Sequence, residues 1–445
     1  MPSFVPHTDA ELAVMLGDLG LSSLEALFAV VPEALRLQRH LDLAPGASEP
    51  DVNAELERLA AANVTGRDLV CFAGGGAYDH EVPAAVRAVA FRSEFVTAYT
   101  PYQPEVAQGL LQTLFEYQTV ISRLAGLPVA NASLYDGASS VVEAGNLAAA
   151  TTGRSALWLS QGVNPRWREV ARTFAAGTGH ELVDLPLSGG TTAYVDVAKG
   201  ASPPAAVIVQ QPNYLGCLED LGAARRTADE AGALLVVAVD PVAAGLLRTA
   251  GSQGADVVVG EGQPFGTPLG FGGPYLGLCA CMSDHVRRLP GRLVGETVDV
   301  DCRRAYVTTL RTREQDIRRE KATSNVCTNQ TLIAVVCALQ LAWLGTGGLR
   351  ELALRCARAT RYTREALIAI DGVEPLVEAP TLREFAVRLP GEPKVVVERM
   401  AEEGFLAGIP LEAEYGTSGL LVAATERRTR AEIEAYAGAL EKVVR

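Results

Sequence analysis

The chain has 445 residues, with 39 Lys and Arg against 52 Asp and Glu, for a net charge of −13. Affinity for nucleic-acid phosphates or an anionic membrane surface needs a positive field, so this balance argues against a nucleic-acid binder or a polybasic membrane protein. With 48% hydrophobic and 20% charged residues the chain can bury a large core, and at roughly 100–200 residues per domain its length predicts two or three domains.

Residues 1–60 read as an N-terminal helical arm. Thr8 with Glu11, and Ser22 with Glu25, have the spacing of a capping box, and Leu12, Met15, Leu16 and Leu19 follow at helical intervals. Residues 44–50, Ala-Pro-Gly-Ala-Ser-Glu-Pro, have the punctuation of a linker. The first residues lack the basic cluster and apolar run of a secretory signal. The apolar stretch 332–344 is interrupted by Gln340 and is shorter than the roughly 20 residues of a membrane span, which predicts a cytoplasmic protein.

From residue 61 to 320 the pattern is that of a large α/β domain. Short apolar runs at 69–72, 156–159, 206–210, 234–239 and 256–259 alternate with helix-period segments such as 108–125 and 221–231. Continuous apolar strands separated by helices predict a parallel sheet covered on both faces. Residues 321–445 predict a linking helix from Thr328 to Leu344 and a small α+β domain. Its expected elements are a helix near 349–370, strands near 385–389 and 420–424, and a last helix opened by Thr429 and Glu432. The eight cysteines show one C-x-C and no C-x-x-C, as expected of reduced core residues rather than a metal or disulfide framework.

In an open α/β sheet ligands bind beyond the carboxyl ends of the strands, so the residues following each apolar run are the candidates. Gly74-Gly75-Gly76 fails the dinucleotide spacing and reads as a turn. Tyr99, Thr100, Tyr102 and Glu105 lie in a proline-punctuated loop, where they either line a small polar pocket or anchor the loop. Asp240 closes the run 234–239, where it either keeps a heterocyclic nitrogen protonated or accepts from the next turn's N–H groups. The Gly-rich segment 261–275 has no G-K-[ST] and so is not a nucleotide P-loop. Nor does it carry the lysine that would form an imine with pyridoxal phosphate, and Lys occurs only at 199, 321, 394 and 442. Thr323, Ser324 and Asn325, at an expected helix entrance, suit either an ordinary N-cap or an anionic phosphate.

Several strings together resemble a known family. Pro6-His-Thr-Asp9, Tyr99-Thr-Pro-Tyr-Gln-Pro-Glu105, Phe271-Gly-Gly-Pro274 and Arg318-Arg-Glu-Lys-Ala-Thr-Ser-Asn325, spread over nearly the whole chain, are similar to those of the glycine dehydrogenase (decarboxylating) subunit 1 family. These are the N-terminal-type subunits of the glycine cleavage P-protein. The resemblance implies a fold-type-I pyridoxal-phosphate-dependent transferase-like large domain with a parallel-rich sheet, plus a smaller C-terminal α+β domain. It also implies a subunit 2 partner whose lysine holds pyridoxal phosphate, Gln263 standing at the matching position here. The implied reaction decarboxylates glycine and passes its aminomethyl group to the lipoyl group of the H-protein. The other glycine cleavage proteins are further implied partners, whereas nucleic acid and membrane are not expected. On the same footing Tyr99, Thr100, Tyr102 and Glu105 complete a substrate and cofactor pocket across the interface. Thr323, Ser324 and Asn325 lie near the phosphate, and Asp240 is either a relic of an ancestral cofactor site or a residue that serves packing. The other readings are a non-catalytic scaffold or regulatory paralogue, and a self-sufficient pyridoxal enzyme that would have to use Lys321.

Overall fold

The computed structural model describes all residues except 1–5, 40, 67, 97–100, 195–201, 271, 412–414, 416 and 417. It divides into two compact units, Met1–Val64 and Thr65–Arg445. In the first, helix Asp9–Asp18 is opened by the expected capping box of Thr8 and Glu11. The Ser22 box does not form. A 3-10 turn, Leu24–Phe28, follows Ser23, whose side chain makes no capping bond. The expected linker ends early, because Ser48 caps helix Glu49–Ala61 and Pro50 sits in its first turn, where a missing N–H costs nothing. None of the described residues of this unit is buried.

The second unit is organised on a seven-stranded sheet: β1 (Val129–Ala130), β2 (Ala156–Ser160), β3 (Glu181–Leu185), β4 (Pro204–Gln211), β5 (Leu234–Val239), β6 (Val257–Glu261) and β7 (Gly277–Cys281). Their spatial order is β1-β7-β6-β5-β4-β2-β3, and only β7 runs antiparallel to its neighbours. The uninterrupted apolar runs have the cause inferred from the sequence, since alternate residues enter different cores. Val207, Val209, Leu235 and Val237 join one cluster with Leu111, Leu114 and Ile121 of helix Gln108–Ala125. Ala206, Ile208, Val236 and Ala238 join another with Val141 and Leu147 of helix Gly137–Thr152.

The helix beyond the large sheet starts at Thr331, not Thr328, and continues to Ile368 across a break at Gly345, whose φ of 60° is left-handed. It is long and apolar enough to cross a membrane by length and composition, but Cys337, Leu341, Leu352 and Cys356 are spent in the core beneath the sheet. A four-stranded antiparallel sheet follows, built from Glu374–Pro375, Glu384–Arg388, Gly419–Ala423 and Ile409–Pro410. Helix Arg430–Val444 covers it and starts with the expected box of Thr429 and Glu432.

The apolar run at 69–72 does not open the large sheet. Val70 and Cys71 pair in parallel with Phe405 and Leu406, and Phe72 stacks on Tyr436 with centroids 4.1 Å apart. A two-residue strand has too few hydrogen bonds to choose its own sheet, and its aromatic neighbour selects the small core.

Candidate functional site

A narrow cleft, with about 30 Å³ of free space, lies beyond the carboxyl ends of β4, β5 and β6, lined among others by Tyr78, Asn164, Trp167, Asp240 and Glu261. Asp240, the residue after β5, accepts a 3.0 Å hydrogen bond from the Val242 N–H and lies 2.8 Å from Nε of Arg383. The latter is a charge contact without an aligned N–H, because Nε has no hydrogen-bond acceptor. The reading in which Asp240 accepts from the next turn is therefore met, and a second partner joins it. The local turn takes one oxygen, and an arginine brought in from the small domain's sheet takes the other.

Arg383 also lies over the Tyr78 ring, 3.6 Å from its centroid, and its Nη1 is 3.1 Å from Nε2 of His80. A guanidinium can only donate, so Nε2 accepts and the imidazole proton is on Nδ1, which donates to Glu426 at 2.7 Å. Burial opposes ionisation of Glu426, but His80 and the Glu81 N–H hold its carboxyl down to about 2. Cys356 Sγ donates to the same carboxylate at 3.5 Å. His80, Cys356 and Glu426 place potential metal donors within 4.8 Å of one another, and each already has a protein partner.

On the other side of Tyr78, its hydroxyl donates to Glu384, which also accepts from the Gly75 N–H at 2.9 Å. Burial pushes the Glu384 carboxyl up to about 7, against the pull of these two donors. The glycine turn noted in the sequence thus serves a buried carboxyl. Gly216 backs the same residue, with φ of 81° and no room for a side chain, since a Cβ there would sit 1.9 Å from the Glu384 carbonyl oxygen. Gly216→Ala should therefore lower the unfolding free energy by about 2 kcal/mol, left-handed strain and overpacking together, as measured by the denaturant midpoint.

Gln263 is fully buried. Its Oε1 accepts from the Tyr78 N–H at 2.9 Å, and its Nε2 donates to the carbonyls of Tyr78 at 3.0 Å and Thr267 at 2.7 Å. Glu261, at the end of β6, accepts from the N–H groups of Gly137, Gln263 and Leu276, each at 2.9 Å. Burial raises its carboxyl to about 8 despite those donors. These contacts decide whether the cleft suits pyridoxal phosphate, and it does not. Residue 263 has no amine to form an imine, Arg383 occupies Asp240, and a carboxylate already fills the first N–H of helix Gly137–Thr152, the natural place for an anion.

Of the remaining candidates, Thr323 and Ser324 line a second cavity, which shares no lining residue with that cleft. Tyr99 and Thr100 lie outside the described residues. The Tyr102 hydroxyl accepts from Arg292 Nη2 at 2.8 Å, and that guanidinium lies 4.7 Å from the ring centroid. Arg311 approaches the same ring at 5.8 Å. Glu105 is exposed on the turn Pro104–Val106, and Asn325 is exposed as well. Thr323, Ser324 and Asn325 are not at a helix entrance, because the helix begins only at Thr331 and they lie in the irregular approach to it. Ser324 instead accepts from the Val326 N–H at 3.1 Å and lies beside Glu143, a carboxyl that burial raises to about 7. Thr323 and Ser324 line a cavity with Arg287, Arg288 and Arg313. The sequence reading missed Arg383, His80, Glu384, Glu426 and Arg292. No local pattern marks any of them, since each acts on a residue far away in the chain.

The family model described as glycine cleavage system P-protein matches residues 2–440. The chain is 44% identical over 440 residues to the probable glycine dehydrogenase (decarboxylating) subunit 1 of Desulforamulus reducens, covering 98% of this chain and 99% of that one. The corresponding protein of Moorella thermoacetica is 46% identical over 445 residues, covering 99% and 100%. Among solved structures, a glycine decarboxylase (P-protein) of the glycine cleavage system in inhibitor-bound form superposes with a TM-score of 0.91 at 46% identity, over 99% of this chain and 100% of that chain. Sphingosine-1-phosphate lyase of Burkholderia pseudomallei, with a TM-score of 0.67 at 16% identity over 92% and 94%, shares the fold-type-I architecture alone.

Proposed function

This chain belongs to the glycine cleavage system P-protein family, and from that premise we propose that it works as subunit 1 of a two-chain glycine decarboxylase. Its partner, subunit 2, supplies the lysine that holds pyridoxal phosphate. The observation that carries this division of labour is Gln263, locked by three hydrogen bonds where a self-sufficient enzyme needs an amine. Lys321, the alternative, is exposed on the turn Arg319–Lys321.

When bound, the cofactor acts as an electron sink for the charge left by loss of carbon dioxide from glycine. The aminomethyl group then passes to the lipoyl arm of the H-protein, and the complex works in the cytoplasm beside the other glycine cleavage proteins. This chain contributes position and polarity from its side of the interface. Arg292 orients the Tyr102 hydroxyl, and Tyr99, Thr100 and Glu105 face substrate or cofactor with it. Thr323, Ser324 and Asn325 approach the phosphate. Holding these groups in place before the reaction lowers the entropic part of the barrier.

Borohydride reduction of the reconstituted pair in pyridoxal phosphate, followed by peptide mapping, tests the reading. A reduced adduct is expected only on the partner's lysine, with glycine-dependent carbon dioxide exchange in the pair and none in either chain alone. An adduct on Lys321 of this chain would overturn it. Unchanged glycine turnover in a pair carrying both Tyr99→Phe and Tyr102→Phe would remove the tyrosines from the assignment.

A further inference from the structure

In a chain of net charge −13, residues 350–365 carry five arginines and two glutamates. Their helix, Thr331–Ile368, and the start of helix Arg430–Val444 wall an open groove with about 420 Å³ of free space, a size that suits a small ligand. Arg355, Arg358 and Tyr362 belong to one wall, and Arg428 and Arg430 to the other. The groove shares no lining residue with the cleft at Asp240.

The chain satisfies these guanidiniums only in part. The Arg428 side chain is 5% exposed; its Nη2 reaches Asp79 at 3.2 Å, and its Nε is shielded from solvent without a partner. Arg358 has no acid at ion-pair distance among the described residues. Arg355 and Arg430 meet Glu351 and Glu434 through Nε, at 2.7 and 2.8 Å. Both are exposed i,i+4 pairs, worth about 0.3–0.5 kcal/mol and easily exchanged for another acceptor. Glu426 is the one acid in the lining, and its oxygens already accept from His80, Cys356 and the Glu81 N–H.

We propose that this groove binds a small di- or tricarboxylate. Four guanidiniums against the Glu426 carboxylate give the lining a charge of +3, and a guanidinium fork matches a carboxylate with two parallel hydrogen bonds. Arg355 and Arg358 alone are about 5–6 Å apart at Cβ by their spacing on the helix, and the other two arginines lie across the groove, so one carboxylate cannot serve both walls. Arg428 lies beneath the surface, where its charge acts through a medium of low dielectric and pulls more strongly on an anion inside the groove. That favours a compact molecule that enters over an acidic protein face that rests on the rim. The inference does not rest on the split-site reading above.

The full-length chain is titrated with citrate by calorimetry at low ionic strength, where charge is least screened, with acetate and a hexaglutamate peptide in parallel. One citrate should bind per chain, at least tenfold more tightly than acetate. Arg358→Gln removes an exposed donor with no partner to lose, so the fold should stay intact and citrate binding should weaken at least fivefold. Arg358→Lys, which keeps the charge without the fork, should recover part of the loss. Arg303→Gln, between the paired strands Leu293–Val298 and Arg304–Thr309, should bind citrate as wild type does. If Arg358→Gln binds citrate as tightly as wild type, or if acetate binds as tightly as citrate, the proposal is overturned. If hexaglutamate binds more tightly than citrate with the same dependence on Arg358, the occupant is an acidic protein segment and the small-molecule assignment falls.

Discussion

Arg383→Met is expected to lower the unfolding free energy by about 3–5 kcal/mol, the usual loss when one member of a buried ion pair is removed. The Arg383 side chain is 4% exposed and that of Asp240 13%, so water cannot replace the missing charge. The substitution also removes the cation over Tyr78 and the donor to His80, leaving Nε2 without its partner. Asp240 is the residue that should carry the loss. Asp240→Asn in the Arg383→Met background should therefore recover part of the stability, because a neutral amide is far cheaper to bury than a lone carboxylate. Guanidinium titrations of the two single variants and the double variant give the coupling energy. A coupling near zero would mean that the 2.8 Å contact contributes nothing and that Arg383 acts only through Tyr78 and His80.

Stability should fall as the pH rises from 5 to 8, the reverse of what acid denaturation leads one to expect. Glu143 and Glu384 each have a carboxyl raised from 4.5 to about 7 by burial. Below pH 4.5 both are protonated in the folded and the unfolded chain. Between that value and about 7 the unfolded chain releases its protons and the folded chain keeps them, so the stabilisation drains away, by about 3 kcal/mol for each group. Glu426, lowered to about 2, works on the opposite limb: its contribution is complete above 4.5 and is lost only as the pH falls through about 2. The optimum should therefore lie near pH 4.5–5. Glu143→Gln isolates one term, because Oε2 of Glu143 has no hydrogen-bond partner to lose. At pH 8 this variant should be about 2 kcal/mol more stable than wild type, and at pH 5 it should show no gain, as read from denaturant midpoints at both pH values.

Features settled within a few residues of one another were legible in the sequence. The Thr8–Glu11 and Thr429–Glu432 boxes formed because each is closed by its own i,i+3 bonds, and β5 was plain because every residue in it loses water on one face or the other. Features settled by distant partners were not. Residues 70 and 71 look like the first strand of the α/β sheet until Phe405 and Leu406 claim them, and nothing near Arg383 announces that it ends against Asp240. Thr323 to Asn325 were placed at a helix start because their residue types suit a cap, yet the helix waits for Thr331, where Ala334 can bond back to Gln330. Gln263 was readable as a missing lysine, but not the bonds that keep it in place.

The first unit has consequences for how much of this protein a cell can keep. Its apolar side chains, Phe28 at 59% exposure and Leu35 at 75% among them, find no interior of their own. Such a segment is a ready substrate for proteases and a nucleus for aggregation until another surface covers it. Chains in which that surface stays uncovered are expected to be cleared first, which pulse-chase of the full chain would show as a fast-decaying fraction.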